Sequence, residues 1–104
     1  MKLCLSGKIT GNDNYRKDFA VYGRARLENA GYGVCDPADL GFPEDISRED
    51  AMKQDTREML RCDGVALLPS WEESRGARIE ARLAGELGMT ARPLSWWLER
   101  RPIC

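Results

Sequence analysis

One short apolar run constrains the fold of this chain more than any other feature. In residues 63–68, DGVALL, Asp63 and Gly64 are followed by four apolar residues. The run lacks the alternation of polar and apolar residues that a half-exposed strand shows. A strand of a parallel sheet is covered by helices on both faces and is therefore apolar throughout. The run is far shorter than the roughly 20 apolar residues that a membrane-spanning helix needs. It predicts a central strand of a parallel sheet.

Segments with helical and strand character alternate along the whole chain. Strands are predicted at residues 2–6, 32–36, 63–68 and 90–94, and helices at residues 14–30, 48–61 and 75–88. Such alternation gives right-handed crossovers and an α/β, flavodoxin- or Rossmann-like three-layer sandwich with helices on both faces of the sheet. We expect the strand order 2-1-3-4 and a single domain over residues 1–104, in which the tail after residue 94 adds a helical turn.

Residues typical of helix ends flank these segments. Ser47 and Ser74 stand where an N-cap hydroxyl would accept a backbone N–H from the first turn. Asn12 or Asp13 is expected to cap the first helix, and Gly31 and Gly88 fit the C-terminal ends of two helices. The first helix is expected to place several residues near one face: Phe19, Tyr22, Ala25, Arg26 and Leu27.

Charge and cysteine content exclude several classes of function. The chain has 16 basic and 17 acidic residues, so broad electrostatic binding to a nucleic acid polymer or an anionic membrane is not expected. The N-terminus lacks a signal-peptide pattern, which favours the cytoplasm. Cys4, Cys35, Cys62 and Cys104 are widely spaced and the chain has no histidine, so we expect three core cysteines, a free terminal thiol, and neither a metal site nor a cofactor.

Glu80 lies in the middle of the apolar face of the helix predicted at residues 75–88. Its neighbours within about 60° on the helical wheel are small or apolar: Gly76, Ala77, Leu83, Ala84 and Leu87. A carboxylate in such surroundings is unfavourable unless it is paired or protonated. Glu80 is therefore a candidate for chemistry, and the alternative is a carboxylate at the rim of the face that reaches a basic group or a backbone amide.

The preceding helix repeats this anomaly at Asp55. Its wheel neighbours are again small or apolar: Ala51, Met52, Met59 and Cys62. Two carboxylates directed at the same strand ends can divide the roles of nucleophile and acid, because one stays ionised while the other keeps its proton. The alternative is that Asp55 only bonds a backbone amide or an arginine.

The expected ligand site lies at the carboxyl ends of strands one and three, where the strand order reverses. That position brings the segments 6–11 and 69–74 together. The loop SGKITG matches neither the triphosphate-binding nor the dinucleotide-binding glycine motif. Ser74, at a helix N-terminus, can bind an anion as well as cap the helix. Trp71 can stack on a base or act as a structural lid.

Three stretches together resemble the nucleoside 2-deoxyribosyltransferase-like superfamily, which includes 2′-deoxynucleoside 5′-phosphate N-hydrolases. They are the opening LSGKITG, the strand and loop GYGVCDPADL, and the block DTREMLRCDGVALLPSWEESRGARIEARLAGELG. The chain looks most similar to short bacterial and phage members. The resemblance implies an enzyme that acts on a small nucleoside or nucleotide, works without a cofactor and forms at least a homodimer.

The resemblance also implies roles for individual residues. Glu80 matches the nucleophile, and Asp55, eight residues before Asp63, matches the aspartate that assists it. Ser74, six residues before Glu80, matches the phosphate-binding serine of the monophosphate hydrolases, where the transferases carry an aspartate. The remaining residues assigned to the substrate are Ser6, Gly7, Lys8, Ile9, Gly11, Trp71 and Gly76. Lys8 departs from the pattern, because the hydrolases often have a serine there.

The resulting hypothesis is cleavage of the N-glycosidic bond of a (deoxy)nucleoside 5′-monophosphate through a glycosyl ester on Glu80. Two alternatives stay open. One is transfer of deoxyribose between bases, and the other is a nucleotide-binding module without catalysis. A structural subunit whose Trp96 and Trp97 form an interface is a further alternative.

Overall fold

The computed structural model describes residues 1–8, 13–14, 17–36, 41, 43 and 45–100. Its four strands form one parallel sheet in the order β2-β1-β3-β4, as predicted. The strands are β1 Lys2–Ser6, β2 Gly33–Cys35, β3 Gly64–Leu67 and β4 Thr90–Pro93. The order confirms the α/β class and places the ends of β1 and β3 side by side.

Helices connect the strands at nearly the predicted positions. The first helical segment, α1, is a π-helix over Asp18–Ala25 that continues as an α-helix over Arg26–Asn29. The later helices are α2 Arg48–Met59, α3 Arg75–Glu86 and α4 Leu94–Arg100, and a 3-10 turn covers Trp71–Glu73. No helix among the described residues has both the length and the apolar character that crossing a membrane requires.

Side chains of alternate strand residues build two separate cores, one on each face of the sheet. Leu3, Leu5 and Ala66 point toward α1 and α4, where they meet Phe19 and Leu27. The opposite face, toward α2 and α3, carries a second buried group: Cys4, Cys35, Met59, Cys62, Val65, Leu67 and Ala84. The three cysteines that we expected in the core are buried here.

The buried face of α1 differs from the predicted one. Phe19, Gly23 and Leu27 are buried, whereas Tyr22 is 44% exposed and Arg26 is exposed. A π-helix has a wider turn than an α-helix, so residues four apart stack almost directly above one another. A wheel drawn for an α-helix therefore misplaces this face. Gly23 is required there, because an added Cβ would lie 3.0 Å from a Leu5 methyl group.

The helix ends follow the predicted chemistry in α2 and α3. The Ser47 hydroxyl accepts the Asp50 N–H at 3.0 Å, and the Ser74 hydroxyl accepts the Ala77 N–H at 3.2 Å. The cap of the first helix by Asn12 or Asp13 stays a prediction, because Asn12 and residues 15–16, to which an Asp13 cap would bond, lie outside the described residues. Gly31 and Gly88 adopt φ angles of 101° and 74°, as C-terminal glycines do.

Helix α4 is longer than the predicted turn and packs against the sheet through Trp97. The Trp97 indole N–H donates to the Val65 carbonyl oxygen at 2.9 Å, and the Tyr32 hydroxyl donates to the Trp97 carbonyl oxygen at 2.8 Å. The two rings meet edge to face. Trp97 is therefore buried against the sheet, whereas Trp96 is half-buried beside it.

Gly64 is the tightest point of this packing. A Cβ added there would lie 2.8 Å from the Trp97 ring and 3.0 Å from the Thr90 carbonyl oxygen. We expect Gly64→Ala to lower the free energy of unfolding by about 1–3 kcal/mol, because neither neighbour can move without breaking strand or core contacts. Urea denaturation measures the change. Gly33→Ala is the control, since an added Cβ in that strand meets nothing closer than 3.8 Å. Equal losses in the two variants would contradict the prediction.

Candidate active site

Three buried side-chain oxygens form no hydrogen bond within the described part of the chain: Ser6 Oγ, Asp55 Oδ1 and Glu80 Oε2. Ser6 ends β1, Asp55 lies in α2 and Glu80 lies in α3. Folded proteins satisfy nearly all buried polar atoms, so buried oxygens without a partner are candidates for contact with a ligand or water. These three come from separate segments of the chain and meet on the α2–α3 face of the sheet.

Glu80 is 5% exposed and lies between Ala77 and Ala84, both buried, on the sheet-facing side of α3. The apolar surroundings predicted for it are confirmed except for Leu87, which is 53% exposed because α3 ends at Glu86. Burial raises the pKa of the Glu80 carboxyl to about 8, and the negative charge of Asp55 adds to the rise. The nearby Ser6 hydroxyl acts in the opposite direction and lowers the pKa of Glu80. Glu80 is therefore a buried acid, and no salt bridge joins it to a basic group among the described residues.

Asp55 is half-buried in the middle of α2, one turn before the buried Met59. Burial raises the pKa of its carboxyl to about 7, and the charge of Cys35 contributes to the same shift. The charge of Asp55 acts on Glu80, so ionisation of Asp55 makes Glu80 harder to ionise. Of the two groups Glu80 has the higher pKa and is the one that keeps its proton longer as the pH rises.

Ser74 caps α3 and sits six residues before Glu80, which corresponds to about 9 Å along a helix. Its hydroxyl still has acceptor and donor capacity after accepting the Ala77 N–H. Gly76 is half-buried in the first turn, and an added Cβ would lie 3.5 Å from the Met52 sulfur of α2. The N-terminus of α3 therefore offers amides and a hydroxyl at one end of the same helix that carries Glu80.

The loop after β1 is only partly described. Lys8 is half-buried and its ammonium group pairs with the Glu73 carboxylate at 3.2 Å, which links the ends of β1 and β3. Gly7 packs on Leu68, whose side chain would lie 3.0 Å from an added Cβ. Ile9 and Gly11, both predicted to contact the substrate, lie outside the described residues.

A cavity of about 510 Å³ opens beside Lys8 and Glu73. Its other lining residues come from α1 and the end of β3: Asp18, Phe19, Tyr22, Leu68, Pro69 and Ser70. Ser70 adopts a left-handed φ of 67°, which is uncommon for a residue other than glycine. The cavity borders the ends of β1 and β3 on the side of α1, and neither Asp55 nor Glu80 lines it.

Trp71 is half-buried and packs against the core on the α2–α3 face. This packing is consistent with a structural role, which was one of the two roles that the sequence allowed for Trp71. The residue is still partly exposed, so stacking on a base stays open as well. The residues that sequence patterns missed are Cys35, whose charge acts on both carboxyl groups, and Glu73, which pairs with Lys8. No pattern in the sequence around Cys35 or Glu73 marks either residue. Each acts on a residue that is distant in sequence and that only the folded sheet brings close.

Comparison with known proteins places the chain by sequence and by fold. The profile of a family described as Domain of unknown function (DUF4406) matches residues 1–92. No curated protein matches the chain. A solved 2-deoxyribosyltransferase from the psychrotolerant bacterium Bacillus psychrosaccharolyticus is similar in structure, with a TM-score of 0.66 and 17% sequence identity. The alignment covers 88% of this chain and 69% of that enzyme. At this identity, the likeness establishes a shared fold.

Proposed function

We propose that the chain, which belongs to the DUF4406 family, cleaves the N-glycosidic bond of a (deoxy)nucleoside 5′-monophosphate with Glu80 as the nucleophile. The observation that carries the proposal is that Ser6, Asp55 and Glu80 lie close together and that each has a buried oxygen without a hydrogen bond to any described residue. Two of them belong to carboxyl groups with raised pKa values, which is typical of residues tuned for proton and nucleophile chemistry. The fold shared with a 2-deoxyribosyltransferase supports the same class of bond.

The reaction follows the two-step logic of retaining glycosidases. An ionised Glu80 oxygen bonds to C1′ as the C1′–N bond breaks, and the bonding electrons leave with the base. Asp55 supplies the proton that the departing base accepts. Water then attacks C1′, Asp55 takes up a proton from it, and the ester to Glu80 breaks to regenerate the carboxylate. In the unliganded protein the higher pKa belongs to Glu80, so the cycle needs the proton of the pair to pass from Glu80 to Asp55 as the substrate binds.

The substrate-binding roles follow the position of each residue around the carboxylates. Ser6 would hold the Glu80 carboxyl group in place and bind the sugar, while Trp71 would stack on the base. The phosphate would lie at the N-terminus of α3, where amides, the helix dipole and the Ser74 hydroxyl favour an anion. Further contacts would come from the loop after β1 and the first turn of α3: Gly7, Lys8, Ile9, Gly11 and Gly76.

Transfer of deoxyribose to a second base is the other candidate function. The observation in its favour is the structural neighbour, which is a 2-deoxyribosyltransferase. The two reactions share the ester on Glu80 and differ in whether water or a base resolves it. Ser74 favours hydrolysis of a monophosphate in this chain.

A chromatographic assay for free base tests the proposal. The protein is incubated with ribo- and deoxynucleosides and with their 5′-monophosphates, each with and without an acceptor base. Base released from monophosphates alone, independently of acceptor, is the expected result. Exchange that requires an acceptor would move the function to the transferase, and nucleotide binding without turnover would make the chain a binding module. Light scattering on the same preparation tests the homodimer that we also propose.

Ser74→Ala separates phosphate binding from helix capping. We expect KM for the monophosphate to rise by about tenfold and stability to fall by about 1 kcal/mol, because the variant loses both the ligand contact and the cap. Ser47→Ala is the matched control, since Ser47 caps α2 through the same kind of hydrogen bond away from the α3 N-terminus. It should lose similar stability with KM unchanged. A rise in KM shared by both variants would remove Ser74 from the phosphate site.

A further inference from the structure

Three cysteine sulfurs that are far apart in sequence converge on the α2–α3 face of the sheet. The parallel register of β1 and β2 sets Cys4 directly beside Cys35. Cys62, three residues after α2 ends, joins them, and the three Sγ atoms all lie within 4.8 Å of one another. All three are free thiols, and their residues are 1%, 8% and 8% exposed. The arrangement is a compact cluster of sulfur donors rather than three isolated core residues.

We propose that Cys4, Cys35 and Cys62 form a binding site for a thiophilic metal ion, and that the ion they suit best is Cu(I). Thiolate ligands bind such metals at about 2.3 Å, so three sulfurs in one plane around an ion lie about 4 Å apart. The observed separations of at most 4.8 Å reach that value after side-chain rotations that move each pair by less than about 1 Å. The backbone already has the spacing that the site requires.

The donor set favours Cu(I) over other common ions. Soft thiolate ligands select Cu(I) and zinc over magnesium or calcium. Zinc takes four ligands in structural sites, but within the described residues the cluster comprises three sulfurs and no carboxylate or fourth thiol. Cu(I) is stable with three sulfur ligands in a plane. Cys35 and Cys62 are each 8% exposed, against 1% for Cys4, so they form the less deeply buried side of the cluster.

Binding exchanges weak contacts for metal–sulfur bonds. The Cys4 thiol faces the Leu5 carbonyl oxygen at 3.6 Å, and the Cys62 thiol faces the Glu58 carbonyl oxygen at 3.4 Å. Both are long, weak hydrogen bonds. As Cu(I) binds, thiols release protons to solvent and sulfur lone pairs form the bonds, so neither the metal nor the sulfur is oxidised or reduced.

Competition against a chromogenic Cu(I) chelator tests the site. The fully reduced chain is titrated without oxygen while the chelator and the ultraviolet thiolate-to-copper absorption are followed. We expect one Cu(I) per chain, and a loss of affinity of at least about 100-fold in Cys35→Ser and in Cys62→Ser. Cys104→Ser is the matched control and should bind like wild type. Circular dichroism establishes that each variant is folded. Cys62 lies outside the strands, so Cys62→Ser changes no residue of the sheet, whereas Cys35 is part of β2.

Three results would overturn the proposal. One is wild-type binding no tighter than that of a folded Cys35→Ser or Cys62→Ser variant. Another is a loss in Cys104→Ser equal to the loss in the cluster variants, which would show that binding does not depend on the cluster alone. The third is a parallel titration in which Zn(II) displaces stoichiometric Cu(I), because a three-sulfur site should prefer the ion that accepts three ligands.

Discussion

Glu80→Gln is expected to reduce base release by at least about a thousandfold. Glutamine keeps the shape of the side chain but cannot form the ester at C1′, and removal of a catalytic nucleophile typically has effects of this size or larger. Single-turnover chromatography with the best substrate from the panel measures the loss. Nucleotide binding, followed by calorimetry, should change far less, because the phosphate and base contacts remain.

The same substitution is expected to stabilise the fold at alkaline pH. Burial raises the pKa of Glu80 from its ordinary 4.5 to about 8, so the folded protein holds a proton that the unfolded chain has already lost. Stability of the wild type therefore falls as pH rises from about 4.5 to about 8, and Gln lacks this titration. We expect the free energy of unfolding of Glu80→Gln, relative to that of the wild type, to grow by about 3–5 kcal/mol across this interval. Urea denaturation at pH 5 and at pH 8.5 measures this difference.

Glu86→Gln is the matched control for both effects, because Glu86 is an exposed acid on the same helix. It should leave turnover and the pH dependence of stability close to wild type. Full activity in Glu80→Gln would exclude Glu80 as the nucleophile. A stability difference that does not change with pH would instead mean that Glu80 is ionised throughout, held by a group of opposite charge.

Asp55→Asn is expected to slow base release by about a hundredfold or more, because asparagine cannot pass a proton to the leaving base. It should also change the pH dependence of the remaining activity. The charge of Asp55 helps to raise the pKa of Glu80, so its removal lowers that pKa and moves the onset of nucleophile ionisation to lower pH. The measurement is kcat/KM against pH for wild type and variant.

Asp50→Asn serves as the control for this profile, because Asp50 is exposed in the first turn of the same helix. Its backbone N–H, not its carboxylate, makes the capping bond to Ser47, so the helix start is kept. A pH profile that shifts equally in both variants would show a general charge effect. An unchanged profile in Asp55→Asn would mean that the two carboxyl groups do not titrate together.

Sequence patterns predicted those parts of the fold that depend on neighbours along the chain. The apolar run gave the position of β3, and the serines at 47 and 74 gave the starts of α2 and α3. The buried face of α1 was misassigned because the pattern cannot reveal that the helix has π geometry. The length of α4 was underestimated for a different reason: Trp97 is fixed by Val65 and Tyr32, which lie far away in sequence.

In the candidate site, too, some residues are marked by a pattern in their own segment and others depend on contacts between distant segments. Glu80 and Asp55 stood out because each interrupts an apolar face within its own helix, and the structure brings both into electrostatic contact. The Lys8–Glu73 pair and the cysteine cluster had no local pattern. Spacing along the chain argued against a cysteine site, since the register of two parallel strands, not sequence distance, determines which sulfurs meet.

The position of β1 has a consequence for how the protein forms during synthesis. This strand is made before the other three strands, yet it occupies the middle of the sheet between β2 and β3. Leu3 pairs with Gly64, and the Lys2 amide also bonds the Asp63 carboxylate at 2.7 Å. Until residues 63–67 have left the ribosome, one side of β1 has no partner strand, and its open edge can pair with other chains. Chaperone binding to nascent chains should therefore be strongest before that point and fall once β3 emerges.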